Sequence, residues 1–455
     1  MTRWHALEDQ DSRRPGALRP PRMAASQSND GLEKLGRAEL HCVCLLLAPA
    51  DLARLCCVSR NLLALCSDDF LWFPLCSSAW RLSAPTRPDG SVCTASRVTR
   101  SPFHAAYGAW FASFGRYAPL YARGHDAVTA IRSLCDRELP AVSATLLPGA
   151  SEQELDAFAT KLGVTLTSPA LRLIWRLLGG QRLRGTPQWA ALFGAFGAYD
   201  SYTLMYMLDF ETVSHLGITA FEAGGPRWVP FAAGQTMVPD ESGVLLVNSA
   251  TGAVKLNAAG RIADAAPPGP HGILRWVEAF AERCRSGDLS VERCDPENPA
   301  SMCISSFPRL PPLLSDCVTL GLRVQASAVH AAAAYDPRRG STFVYRVRFK
   351  LLSEQQQVER GVPLSRVMRT AQLQNRHWII TDGEGRTSEV RGDGVVGMYP
   401  LLTAGGPEFM YQSMTFHQGR REGSMRGSFG FKPDTGPPFQ AVCSPFPLRF
   451  PDFLM

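Results

Sequence analysis

A chain of 455 residues, 45% apolar and 19% charged, can bury more than one core and suggests roughly two to four domains. Its formal charge of +6 is small for that length and its basic residues are scattered, which argues against nucleic acid as a partner. No apolar run approaches the roughly 18 residues of a bilayer span, and no hydrophobic signal core opens the chain, so no membrane contact is expected and the protein reads as soluble and intracellular, in cytoplasm or nucleus.

Residues 1–30 are rich in Arg, Pro, Ser and Asp with little periodic apolar content, and are expected to be a disordered tail. Residues 31–82 are dense in Leu and Cys and broken by "APAD" and "SDD". They read as a compact set of short helices in which Pro49 ends one helix, Asp51 or its neighbour caps the next, Ser59 caps a third and Asp68 or Asp69 a fourth. Thirteen cysteines are an odd number, without a C-x-x-C pair, and Cys42, Cys44, Cys56, Cys57 and Cys66 lie in apolar runs, as reduced thiols do. Neither these nor the nine histidines form a four-ligand set, so neither a metal nor a cofactor is expected.

Residues 83–145 are expected to be a helical connector, polar over 83–100 and then carrying Phe103, Tyr107, Trp110, Phe111 and Phe114 at helical spacing for packing. From 146 to 290 the pattern is mixed. Ser151 and Glu154 form a capping-box spacing ahead of a helix that Gly163 stops, and Ser168 with Pro169 opens a second before Gly179-Gly180. Short strands follow, with a turn at Thr251-Gly252, and "GILRWVEAFAERCRSG" closes the region as a helix with Ile273, Trp276, Val277 and Phe280 on one face. Residues 291–312 read as a Pro/Ser-rich linker. Beyond it helical signals nearly vanish, and short strands between Gly, Pro and Asp turns predict an antiparallel sandwich or barrel over 313–455.

Within that last region Gly392-x-Gly394-x-x-Gly397 has the spacing of a dinucleotide-binding loop. Such a loop must lead into a helix whose N-terminal N–H groups face the phosphate. Here Tyr399-Pro400 bars a helix, so the glycines are read as turn residues. No G-x-S-x-G elbow is present. His377, Asp382 and Ser388 can be drawn as a triad, but a histidine beside Trp378 at a strand start is more often packed or hydrogen-bonded than a base. No catalytic role is expected.

Three resemblances organise these readings. "RHWIITDGEGRTSEVRGDGVVGMYPLL", then Phe409, Tyr411 and Ser413, then "GSMRGSFGF", and then Phe439, Val442, Phe446 and Leu448, resemble an ApaG domain. That resemblance implies a fibronectin-III-like β-sandwich over 313–455, generally a binding module, and makes Gly392, Gly394 and Gly397 a candidate ligand loop. Residues 31–82 resemble an F-box, an adaptor-docking module, at Leu35, Leu40, Leu46 or Leu47, Pro49, Asp51-Leu52, Val58-Ser59-Arg60, Asp69, Leu71-Trp72 and Trp80, with Leu35-Gly36 where that family usually has Leu-Pro. The adaptor contacts it implies are Leu35, Leu40, Leu46, Pro49, Leu52, Val58, Leu71 and Trp72. Residues 146–290 are similar, more loosely, to an α+β SUKH domain.

The fold class expected is therefore multidomain: an all-α F-box, an α+β SUKH-like domain and an all-β sandwich. The function implied is a non-catalytic substrate receptor that docks a Skp-type adaptor and, through it, a cullin scaffold of a ubiquitin ligase. The alternatives are an adaptor-binding scaffold without ubiquitin transfer and a ligand-sensing module built on the ApaG loop.

Overall fold

The computed structural model describes residues 35–95, 101–199, 201–218, 227–235, 243–258, 261–267, 269–295, 298–336, 340–419 and 421–450. The tail expected over residues 1–30 lies outside them.

The described chain opens with α1 (Arg37–Leu45), α2 (Pro49–Leu55), α3 (Arg60–Cys66) and α4 (Asp69–Trp80). Ser59 caps α3 by accepting from the Leu62 N–H, and Asp68 caps α4 by accepting from that of Phe70. Pro49 does not end a helix but opens α2 at its first position. There its missing N–H costs nothing, and it holds Ala48 extended, so the break falls before the proline. These helices enclose a small core of Cys44, Leu52, Leu65, Cys66, Leu71 and Trp72.

The expected connector is more than a connector. It forms α5 (Pro102–Phe114), α6 (Ala118–Glu138) and α7 (Pro140–Ser143), with residues 96–100 outside the description. The inward stripe of α6, including Ala127, Val128, Ile131 and Cys135, joins the same core as the middle region. A 21-residue amphipathic helix must bury its apolar stripe somewhere, and the middle sheet with its helices supplies the cover.

That region contains α8 (Glu152–Leu162), α9 (Pro169–Leu177), β1 (Ala195–Ala198), β2 (Ser201–Met207), α10 (Phe210–Leu216), β3 (Trp228–Gln235), β4 (Val244–Asn248), β5 (Val254–Ala258), β6 (Arg261–Asp264) and α11 (Gly272–Ser286). The capping box at Ser151 and Glu154 forms, and Gly163 ends α8 at φ +65°. The residues expected to be a linker instead supply β7 (Ser290–Arg293) and β8 (Met302–Ser305). All eight strands form one sheet, ordered β6-β5-β4-β3-β2-β1-β8-β7. Strands of four residues each carry little pattern of their own; parallel pairing of β8 with β1 and packing against the C-terminal sandwich hold them.

The C-terminal part comprises β9 (Leu314–Thr319), β10 (Leu322–Asp336), β11 (Gly340–Leu351), α12 (Glu354–Glu359), β12 (Thr370–Thr381), β13 (Thr387–Asp393), β14 (Leu401–Thr403), β15 (Phe409–His417), β16 (Gly423–Pro433) and β17 (Phe439–Leu448). One sheet runs β15-β11-β10-β9; the other runs β13-β12-β16-β17, with β14 on β12. Side chains of both, among them Phe349, Trp378, Phe429 and Phe446, share one core. α12 is a departure from the strand-only expectation, opened by a capping box of Ser353 and Gln356.

β11 is buried almost throughout rather than on alternate residues. One face looks into the sandwich. The other meets the middle domain, where Val344 packs with Ala198 and Phe307 and the Arg346 guanidinium lies 4.3 Å over the Phe307 ring. Arg346 and Arg348 both donate to the Glu292 carboxylate of β7, which also accepts from Arg309 at 2.7 Å. The two domains are thus locked by an ion cluster as well as by apolar contact.

Candidate functional site

Three places carry the residues singled out from the sequence: the N-terminal helices, the glycine loop, and a cleft beside that loop. The helices divide the implied adaptor contacts by burial. Leu52, Leu71 and Trp72 are core residues, Trp72 only 2% exposed. Its indole N–H donates to the Cys66 carbonyl at 2.6 Å, and its ring stacks on His104 at 4.1 Å. Leu40 and Pro49 are half-buried. Leu35, Leu46 and Val58 face out, Leu46 at 87% and Val58 at 68% exposure.

Phe70 and Phe73, which the sequence reading did not pick out, are exposed as well. They belong to α4, "DFLWFPLCSSAW", whose apolar residues occupy more of its circumference than the small core can cover. Their signal was present in the sequence as two large residues out of phase with Leu71, Trp72 and Cys76 on a helix. Burial holds the imidazole of His104 below its ordinary range and the Cys76 thiol up at about 12, so both sit neutral at the join between α4 and α5 at neutral pH.

In the glycine loop, Gly392 lies within β13 in ordinary extended backbone, while Gly394 and Gly397 have φ of +57° and +74°. Val395 and Met398 exchange both main-chain hydrogen bonds, at 2.9 and 2.8 Å. With Val396 at φ +49° and Gly397 also positive, this is a two-residue type I′ turn. The Gly394 N–H donates to the Gln374 carbonyl, and Arg376 donates to the carbonyls of Asp393 and Gly394 at 3.0 and 2.8 Å. No helix follows the loop, and the amides of Gly394, Val395 and Met398 are already engaged within the fold. Gly394 and Gly397 therefore do turn work, whereas Gly392, expected as a turn residue, is an ordinary residue of β13 paired with Arg376 of β12, and a phosphate would find carbonyls already turned to an arginine rather than a nest of N–H groups. His377 pairs with Glu389 across β12 and β13 at 3.0 Å, while Asp382 accepts from Arg386 and from the Glu384 N–H in the adjacent turn. The drawn triad is not assembled.

Beside the loop, a cleft of about 920 Å³ opens between the eight-stranded sheet and the sandwich. Its walls include Val396 and Met398 of the turn, Phe409 to Gln412 of β15, and Tyr202, Met302 and Arg348. Burial pushes the Glu292 carboxyl up, but Arg348, Arg346 and Arg309 with the Ser290 hydroxyl pull it further down, to about 2. No short sequence motif announces this cluster, since its members lie on β7, β11 and the segment leading to β9. Among the described residues no group of His, Cys, Asp and Glu is placed to hold a metal ion, and no helix is long and apolar enough to cross a membrane.

Comparison with known proteins matches these parts. The ApaG domain family model covers residues 334–433. "F-box protein SKIP16" of Arabidopsis thaliana is 29% identical over 93% of this chain and 100% of its own length. "F-box only protein 3" of Mus musculus is 25% identical over 84% of this chain and 75% of its own, and "Protein ApaG" of Pseudomonas paraeruginosa is 51% identical over 19% and 66%. A crystal structure of an ApaA protein from Bordetella pertussis is 34% identical over 29% of this chain and 94% of that one, with a TM-score of 0.24. The chain thus carries an ApaG domain toward its C-terminal end and is similar along most of its length to proteins that are named for the F-box.

Proposed function

We propose that the protein is the substrate-recognition subunit of a Skp–cullin–F-box ubiquitin ligase. The observation that carries the proposal is a set of exposed apolar side chains on the part of the chain that resembles an F-box, foremost Leu46 just after α1, Val58 between α2 and α3, and Phe70 and Phe73 on α4. Apolar side chains left outside so small a core are the usual mark of a protein interface. In this reading Leu52, Leu71 and Trp72 shape the docking module from within, and Leu35, Leu46 and Val58, joined by Phe70 and Phe73, meet the adaptor. The SUKH-like middle domain and the fibronectin-III-like ApaG sandwich present the target. The chemistry is proximity: a lysine of the target held near a ubiquitin thioester reacts as if the two were one molecule.

The test is capture of a Skp-type adaptor and a cullin by the full-length protein. Leu46→Asp with Val58→Asp is expected to abolish capture while thermal unfolding stays unchanged. Capture undiminished in that variant would overturn the docking assignment, and adaptor capture without cullin would identify a non-degradative scaffold instead.

A further inference from the structure

We propose, resting on the receptor reading, that the cleft beside the type I′ turn takes an extended, acidic segment of a protein substrate, which pairs with the edge of β15 and turns a carboxylate toward Arg348. The edge comes first. β15 is the outermost strand of its sheet, so one row of its main-chain N–H and C=O groups has no strand beside it. Phe409 to Gln412 run along the cleft. At the far end the Tyr199 hydroxyl meets the Ser413 hydroxyl at 2.9 Å, where the cleft ends. The segment left, about 13 Å of strand, suits an extended chain of roughly four residues added by backbone pairing.

Charge supplies the second observation. Three guanidiniums, of Arg309, Arg346 and Arg348, converge on the single carboxylate of Glu292, and Glu408 adds one more at 3.5 Å from Arg348. The side chains of Arg346 and Arg348 are 0% and 1% exposed, yet Arg346 Nε and Arg348 Nη1 have no hydrogen-bond partner. A buried cationic donor without an acceptor is costly, and of the two only Arg348 lines the cleft, where an incoming carboxylate would relieve it. Burial, with a smaller push from Arg346 and Arg309 and against the pull of Glu292, brings the Arg348 guanidinium down to about 10. The walls are the third observation. Met302, Met398 and Met410 line the cleft with Val396 and Phe409, and methionine adapts to varied side chains on an alternating strand.

The experiment selects a random twelve-residue display library on immobilised full-length protein and measures the enriched peptides by fluorescence polarisation. The expected peptides carry Asp or Glu within an alternating apolar pattern. Replacing that residue by Asn or Gln should weaken binding by about tenfold, the loss of one charge-assisted hydrogen bond. N-methylation of alternate peptide amides should abolish it. Val396→Asp and Val396→Asn both suit a residue at φ +49°, so both should fold. The aspartate should weaken the acidic peptide by about tenfold, and the asparagine by less than about twofold. Selected peptides without an acidic residue, equal effects of the two variants, or displacement by free glutamate as efficient as by the peptide would each overturn the proposal. Adaptor capture by the same preparations reports on the receptor reading separately: capture retained with no acidic peptide selected removes the cleft proposal alone.

Discussion

Replacing Glu292 by glutamine should loosen the lock between the middle domain and the ApaG sandwich. The carboxylate is the shared acceptor for Arg309, Arg346 and Arg348, and its pKa falls from an ordinary 4.5 to about 2. At about 1.4 kcal/mol for each tenfold change in proton affinity, that drop is worth about 3 kcal/mol. Removing one partner from a buried ion cluster typically costs about 3–5 kcal/mol, in agreement. Because the folded pKa is depressed, the contribution is fully present above pH 4.5 and is lost as pH falls from there toward 2. The assay is urea denaturation of the full-length protein at pH 7 and at pH steps below 4.5, with hydrogen exchange followed in peptides from β7 and β11. Wild type should exceed Glu292→Gln by about 3 kcal/mol at pH 7, the gap closing in acid. A difference under about 0.5 kcal/mol at pH 7, or one that does not shrink in acid, would refute the reasoning. Adding Arg348→Met to Glu292→Gln should recover part of the loss, since it removes one of the stranded charges.

The glycine turn gives a pair of opposite effects. Gly394→Val should destabilise by about 2 kcal/mol or more in a denaturation curve, because φ is +57° and a Cβ would stand 2.6 Å from the Met398 carbonyl. Val396→Asn should instead stabilise by up to about 1 kcal/mol in the same measurement, asparagine tolerating positive φ better than a β-branched residue. Trp72→Ala should destabilise the N-terminal helices by about 3–5 kcal/mol by calorimetry or exchange, separating it from Leu46→Asp, which should leave melting unchanged and remove adaptor capture. Gly36→Pro should alter stability by less than about 0.5 kcal/mol: φ is already −63°, and the only cost is the exposed hydrogen bond from the Gly36 N–H to Glu39. Adaptor affinity, measured by titration calorimetry, should hold or rise.

What could be read from the chain was mostly local. Ser59, Ser151 with Glu154, and Ser168 with Pro169 marked helix starts because capping satisfies N–H groups within one turn. Gly394 and Gly397 read correctly as turn residues because the bend needs positive φ and the following Tyr399-Pro400 forbids a helix. Val396 could not be anticipated, since a β-branched residue argues against the conformation it adopts. α12 was missed though Ser353 and Gln356 spell a capping box, its six residues being too few to show a period. β7 and β8 looked like linker because their strand state comes from β1 and from arginines on β11. The division of the F-box positions into buried Leu52, Leu71 and Trp72 and exposed Leu46 and Val58 depends on how four short helices pack, which spacing alone does not reveal.

The burial of β11 on both faces has a mechanical consequence. A sandwich whose outer face is already occupied has no hinge against the domain that covers it. The N-terminal helices are tied in too, through the stacking of Trp72 on His104 and of Trp80 edge-on against Tyr121 of α6, and through Arg81 paired with Asp126. Force applied at one end would reach the other through packed side chains rather than through slack chain. The separation between the helical end and the cleft is therefore set by those packed contacts.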